Sequence, residues 1–131
     1  MGGWGLQRMA GRMARRAGIA EEGVAVSFGF KSLAAAMLIG ALEELPLIGL
    51  VMTFATFGMH RIALVTDRQT YVFRAKPFHR PGEVLGQYPV GHGVVARVRG
   101  KLTFPDGLVV WHSPLFAARA RRVELAANGT A

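Results

Sequence analysis

The four histidines, His60, His79, His92 and His112, are the side chains in this 131-residue sequence best suited to hold a metal or move a proton. They stand 19, 13 and 20 residues apart, with no carboxylate or second imidazole at the spacing a metal site needs. Each therefore reads as a structural or surface histidine. The only aspartates, Asp67 and Asp106, fall in turn sequences, where the carboxylate stabilises the turn itself. None of the three serines sits in a nucleophile-elbow pattern. Glu43 and Glu44 are adjacent, so on a helix they diverge by about 100° and cannot converge on one substrate atom. There is no glycine-rich phosphate loop, and no cysteine to supply thiol catalysis, a thiolate metal site or a disulfide. The expectation is a protein that is not an enzyme, with no catalytic residue, cofactor, metal or small-molecule substrate.

Cationic side chains carry the remaining chemistry. The formal charge is +8, and residues 1–20 hold four arginines and no acid. The spacing predicts a helix over Trp4–Ala17, ended by Gly18. Arg8, Arg12, Arg15 and Arg16 then share a sector about 100° wide, opposite Leu6, Met9, Ala10, Met13 and Ala17. Two placements stay open. The helix lies in a membrane surface, with the arginines on anionic lipid and Trp4 as interfacial anchor. Alternatively its apolar face packs on the rest of the protein and the arginines are solvated. A second basic set is Arg97, Arg99 and Lys101, joined by Arg74 and Lys76 if their strands are neighbours. It reads as a solvated face or as a nucleic-acid patch, while Tyr71, Phe73 and Trp111 read as core. So basic a chain implies an anionic partner, either lipid headgroups or nucleic acid.

Between these basic regions, Leu33–Met59 carries no charge except Glu43 and Glu44, just before Pro46. The run has the length of a membrane span, but a carboxylate near a bilayer centre costs about 2.5–3.5 kcal/mol. Its limbs, 33–42 and 45–59, would reach only about 15 and 22 Å as helices, short of the ~30 Å hydrocarbon core. A helical hairpin turning at Glu43–Pro46 is the expectation. It enters one leaflet or packs against another subunit, and small residues such as Gly40, Gly49 and Gly58 permit close contact either way.

Strand alternation marks Gly23–Phe30, Ile62–Thr66, Thr70–Arg74, Val84–Tyr88, Val94–Arg99, Lys101–Phe104 and Leu108–Trp111. Asp67-Arg68-Gln69 and Pro105-Asp106-Gly107 are hairpin turns, Gly91-His92-Gly93 is a turn, and Lys76–Gly82, with two prolines, is a loop. Ser113 and Pro114 open a helix over Leu115–Ala127, with Phe116, Ala120, Val123 and Ala127 on one side and Asn128-Gly129 as its stop.

Residues Leu64–Arg74 (LVTDRQTYVFR) resemble the second hairpin of bacterial pleckstrin-homology-like domains, and Leu102–Gly107 (LTFPDG) with the following strand and helix is similar to the end of the same domains. The resemblance implies an α+β fold: a seven-stranded antiparallel barrel closed by a C-terminal helix. It also implies a non-enzymatic binding or scaffolding module, self-assembling in several bacterial members. The expected organisation is a basic helix over 1–20 and the domain over 21–127, with the apolar hairpin inserted at 32–60 between the first and second strands. With no secretory signal, residence at the cytoplasmic membrane surface, peripheral or partly inserted, and as a homo-oligomer, completes the expectation. The alternatives are a small single-pass membrane protein with a cytoplasmic β domain, or a basic nucleic-acid-binding module.

Overall fold

A computed structural model describes residues 2–31, 60–76, 80–98, 100–112 and 117–129. The apolar hairpin expected at 32–59, with Glu43, Glu44 and Pro46, lies outside these residues, as do His79, Arg99, Phe116 and the Ser113-Pro114 cap. The side chains of Trp4 and Leu6 are likewise outside the description.

The elements follow in the order α1 (Gly2–Arg16), β1 (Gly23–Phe30), β2 (His60–Thr66), β3 (Gln69–Lys76), β4 (Arg80–Pro89), β5 (Ala96–Val98), β6 (Lys101–Thr103), β7 (Val109–Trp111) and α2 (Ala117–Ala127). All seven strands join one antiparallel sheet in the order β4-β3-β2-β1-β7-β6-β5. The class and the strand count match the expectation. Closure does not: the sheet is open, with β4 and β5 as its edges. The connection that would bring those edges together bonds to α2 instead. Gly91 N–H donates to the Ala127 carbonyl at 2.9 Å, and Val94 N–H donates to Asn128 Oδ1 at 2.9 Å.

Strand alternation sends successive side chains to opposite faces, and here both faces are covered. Ile62 and Leu64 face α1, in a core with Val26, Phe73, Ala10, Met13 and Ala14. Ala63 and Val65 face α2, in a core with Val72, Leu102, Phe104, Val110, Ala120 and Val123. This is why β2 reads as a nearly continuous apolar run: a strand buried on both faces has no solvent side to mark with polar residues.

Several boundaries moved. β4 reaches back to Arg80 through a stretch expected to be loop, because Pro81 lies on an edge strand whose outward groups need no partner. The register shifts near Phe73 accommodate the same stretch. β5 shrinks to three residues and leaves Val95 and Val98 exposed. The helix stop at Gly18 holds: Ile19 N–H reaches the Ala14 carbonyl and Gly18 N–H that of Arg15, with Gly18 at φ 72°.

The two halves of the sheet meet at a seam, where Phe30↔Trp111 is the one pair of β1 with β7 among the described residues. Gly29 lets the strands cross there, since a Cβ would stand 2.6 Å from Val110 Cγ1 and 2.7 Å from the Trp111 carbonyl oxygen. Side chains reinforce the crossing. Arg61 Nη1 donates to the Val109 carbonyl at 2.6 Å, and Ser27 on β1 meets His112 just after β7.

Candidate functional site: the arginine face of α1 and the end of the β3–β4 hairpin

Helix α1 packs on the sheet through part of its apolar face. Ala10, Met13 and Ala14 are buried against Val26, Ile62 and Leu64, with Met9 and Ala17 partly buried beside them. Those three side chains are therefore not exposed to a surface in this conformation, while the side chain of Trp4, the expected interfacial anchor, lies outside the described residues. The arginine face is the complement. Arg8, Arg12, Arg15 and Arg16 are all exposed, on a helix whose other side is anchored. The link to β1 fixes that anchor. Glu21 accepts hydrogen bonds from the Thr66 hydroxyl at 2.6 Å and from the Tyr71 hydroxyl at 3.1 Å, and Asp67 N–H donates to the Glu22 carbonyl at 2.9 Å. Burial, and then the bond to Glu21, push the Tyr71 phenol above its ordinary value.

Two hollows flank the helix. One, of about 650 Å³, runs between α1 and the Ile19–Gly23 link; Arg8, Arg12 and Arg15 line one wall and Glu21 and Glu22 belong to the other. The second, of about 480 Å³, is lined by Arg16, Lys76, Arg80 and Pro81. Its composition follows from the register of the edge hairpin: Lys76 and Arg80 are directly paired residues of β3 and β4, and the end of α1 adds Arg16. Like charges facing one another across two strands oppose the pairing. The nearby acid Glu83 is engaged elsewhere, with Arg74 at 3.3 Å. Arg80 was missed from sequence because the two prolines made its segment a loop; only the pairing with β3 sets it opposite Lys76.

The second basic set is not assembled as expected. Three strands, β2, β1 and β7, separate β3, which carries Arg74 and Lys76, from β6, which carries Lys101. Arg97 Nε lies 2.8 Å from Glu124 Oε1 on α2, and the Lys101 ammonium sits 5.0 Å from the Trp111 ring centroid. These cations hold the fold. Tyr71 and Phe73 are buried as expected, whereas Trp111 is half-exposed beneath Lys101.

The histidines are placed separately. His92 lies in an exposed turn, and His60 packs against Phe30 with ring centroids 5.0 Å apart. His112 is buried, its Nδ1 2.8 Å from the Gly100 carbonyl and its Nε2 2.7 Å from Ser27 Oγ. A carbonyl only accepts, so Nδ1 carries the proton, and the neutral ring accepts the Ser27 hydroxyl at Nε2. Burial holds this imidazole below its usual pKa. A serine donating to a histidine has the geometry of an activated nucleophile, but Ser27 is 0% and His112 3% exposed, so the pair ties β1 to the end of β7. Asp106 does stabilise its turn, accepting from Leu108 N–H at 3.1 Å and from the Tyr88 hydroxyl at 2.7 Å. The bond from Tyr88 holds the Asp106 carboxyl below its usual pKa. Among the described residues no three histidine, aspartate or glutamate side chains gather as a metal site, and no helix is long and apolar enough to cross a membrane.

No family model, curated protein or solved structure matches the chain.

Proposed function

We propose that this chain is a non-enzymatic, pleckstrin-homology-like binding and scaffolding module that sits on the anionic cytoplasmic surface of a membrane through the arginine face of α1. The observation that carries the reading is the division of labour on that helix: one face is buried against the sheet, and the other presents four arginines to solvent. A cationic surface fixed to a rigid body binds a charged plane without first being ordered. Each basic residue near such a surface contributes about 1 kcal/mol, and salt screens it. The electrostatic part of the adhesion falls to the arginines, because Ala10, Met13 and Ala14 on the opposite face of α1 are packed in the core. Self-assembly belongs to the same reading, supported by the open sheet edges and by Val84, Val95 and Val98, which are exposed on or beside β4 and β5.

Sedimentation with phosphatidylcholine vesicles, with and without phosphatidylglycerol, tests it. The full chain is expected to bind only the anionic vesicles and to be released by salt. The double substitution R12Q/R15Q is expected to weaken partition roughly 30-fold. Equal binding to neutral vesicles at every salt concentration would assign adhesion to another part of the chain and overturn the reading.

A further inference from the structure

The hollow between the end of α1 and the β3–β4 hairpin has a charge pattern that general attraction to a surface does not require. We infer that Arg16, Lys76 and Arg80 form a discrete site for a compact phosphate dianion, a phosphomonoester headgroup or free phosphate. The inference adds a ligand class to the surface reading and rests on it only for the lipid-borne source.

Three cations from three elements converge on one concavity of about 480 Å³, and Pro81 is the other described residue that lines it. Lys76 and Arg80 are held opposite each other by the pairing of β3 with β4, a repulsive arrangement for the protein alone. Among the described residues no acid pairs with Arg16, Lys76 or Arg80; Glu83, three residues beyond Arg80, is taken by Arg74. A phosphate dianion placed between them removes the repulsion and accepts hydrogen bonds from two guanidinium forks and one ammonium. Phosphomonoesters offer three terminal oxygens and nearly two charges near neutral pH, whereas a diester headgroup offers two oxygens and one charge. The site should therefore prefer the monoester.

The neighbouring hollow provides the internal contrast. Arg8, Arg12 and Arg15 line it too, but Glu21 and Glu22 share the concavity and lower its net charge. Those arginines serve the surface. Among the described residues the hollow at Arg16 is lined by no acid, so it serves the dianion.

The test compares the full chain on phosphatidylcholine vesicles doped with phosphatidic acid, a monoester, or phosphatidylglycerol, a diester, at matched total charge. Wild type is expected to prefer phosphatidic acid about tenfold. K76Q/R80Q should abolish that preference while keeping phosphatidylglycerol binding, and R12Q/R15Q should weaken both lipids and keep the preference. In a vesicle-free arm, inorganic phosphate should shift the NMR signals of the Arg16, Lys76 and Arg80 side chains, and competition by millimolar phosphate against phosphatidic acid would identify the free anion as an equal occupant. Absence of any vesicle binding with the phosphate shifts intact would sink the surface reading and leave the site standing. Equal binding of the two lipids, or a preference that survives K76Q/R80Q in a folded variant, would overturn the site.

Discussion

Helices α1 and α2 cover opposite faces of one sheet, and they are attached to it in different ways. α2 is tied at its C-terminal end by backbone and side chain together: Ala127 accepts from Gly91, Asn128 from Val94, and Glu124 holds Arg97. Its charge is partly spent inward on fixing β5. α1 is held by apolar contact and by the Glu21 clasp behind it, and every charge on its polar face points outward. The difference separates structure from function. The helix whose acid is committed to the fold closes the larger core, and the proposed surface contact falls to the helix whose described exposed charges are all arginines.

The comparison breaks most readily at the cores. Phe104 is 1% exposed on the α2 face and stacks on Tyr88 with ring centroids 5.1 Å apart, so Phe104→Ala is expected to cost about 4 kcal/mol. Met13→Ala, on the α1 face, should cost about 2 kcal/mol, because only one flexible side chain is lost from the smaller core. Denaturant midpoints measure both. Equal losses would mean that the two helices contribute alike and that α1 is not the more lightly held.

Acid should act at the seam between the sheet halves. The folded pKa of His112 lies below the ordinary imidazole value, so the unfolded chain binds the proton more readily. The contribution is complete above an ordinary pKa of about 6.5 and is lost as pH falls below it, towards the lower folded value, with a slope approaching 1.4 kcal/mol per pH unit. Unfolding curves between pH 7.5 and 5 should show this slope in wild type, and His112→Gln should flatten it. An unchanged slope in the variant would remove His112 from the account.

The smallest effect tests the clasp of α1. Glu21→Gln is expected to cost about 1 kcal/mol and to let Tyr71 ionise at lower pH, since the carboxylate that opposes phenolate formation is gone. NMR titration of the two tyrosines reads it, with Tyr88 as the internal control because its partner is Asp106. A Tyr71 titration that does not move would show that burial alone sets it.

Much of the architecture was legible from local pattern. Gly23–Phe30, the Asp67-Arg68 turn, Pro105-Asp106-Gly107 and the Ala120/Val123/Ala127 stripe are each set by residues within one turn or one strand, and all stand where periodicity places them. Arg80–Gly82 was not legible, because proline signals loop locally while an edge strand tolerates it. The candidate site was half legible. Arg8, Arg12, Arg15 and Arg16 emerged from helical geometry, but the union of Arg16 with Lys76 and Arg80 joins residues some 60 positions apart.

The sequence by itself determined that seven strands and two helices form, though not the bounds of β4 and β5, and the sector on which the four arginines lie, because these follow from periods of two and 3.6 residues along the chain. Only the tertiary structure decided that Ala10, Met13 and Ala14 of α1 pack on the sheet, since a hydrophobic stripe records that it must be buried and not against what. It also decided that the sheet stays open, through bonds from the β4–β5 connection to the end of α2. And it decided that Ser27 and His112, 85 residues apart, meet at the seam where β1 pairs with β7. Such meetings depend on the path of the whole chain, and no local pattern encodes them.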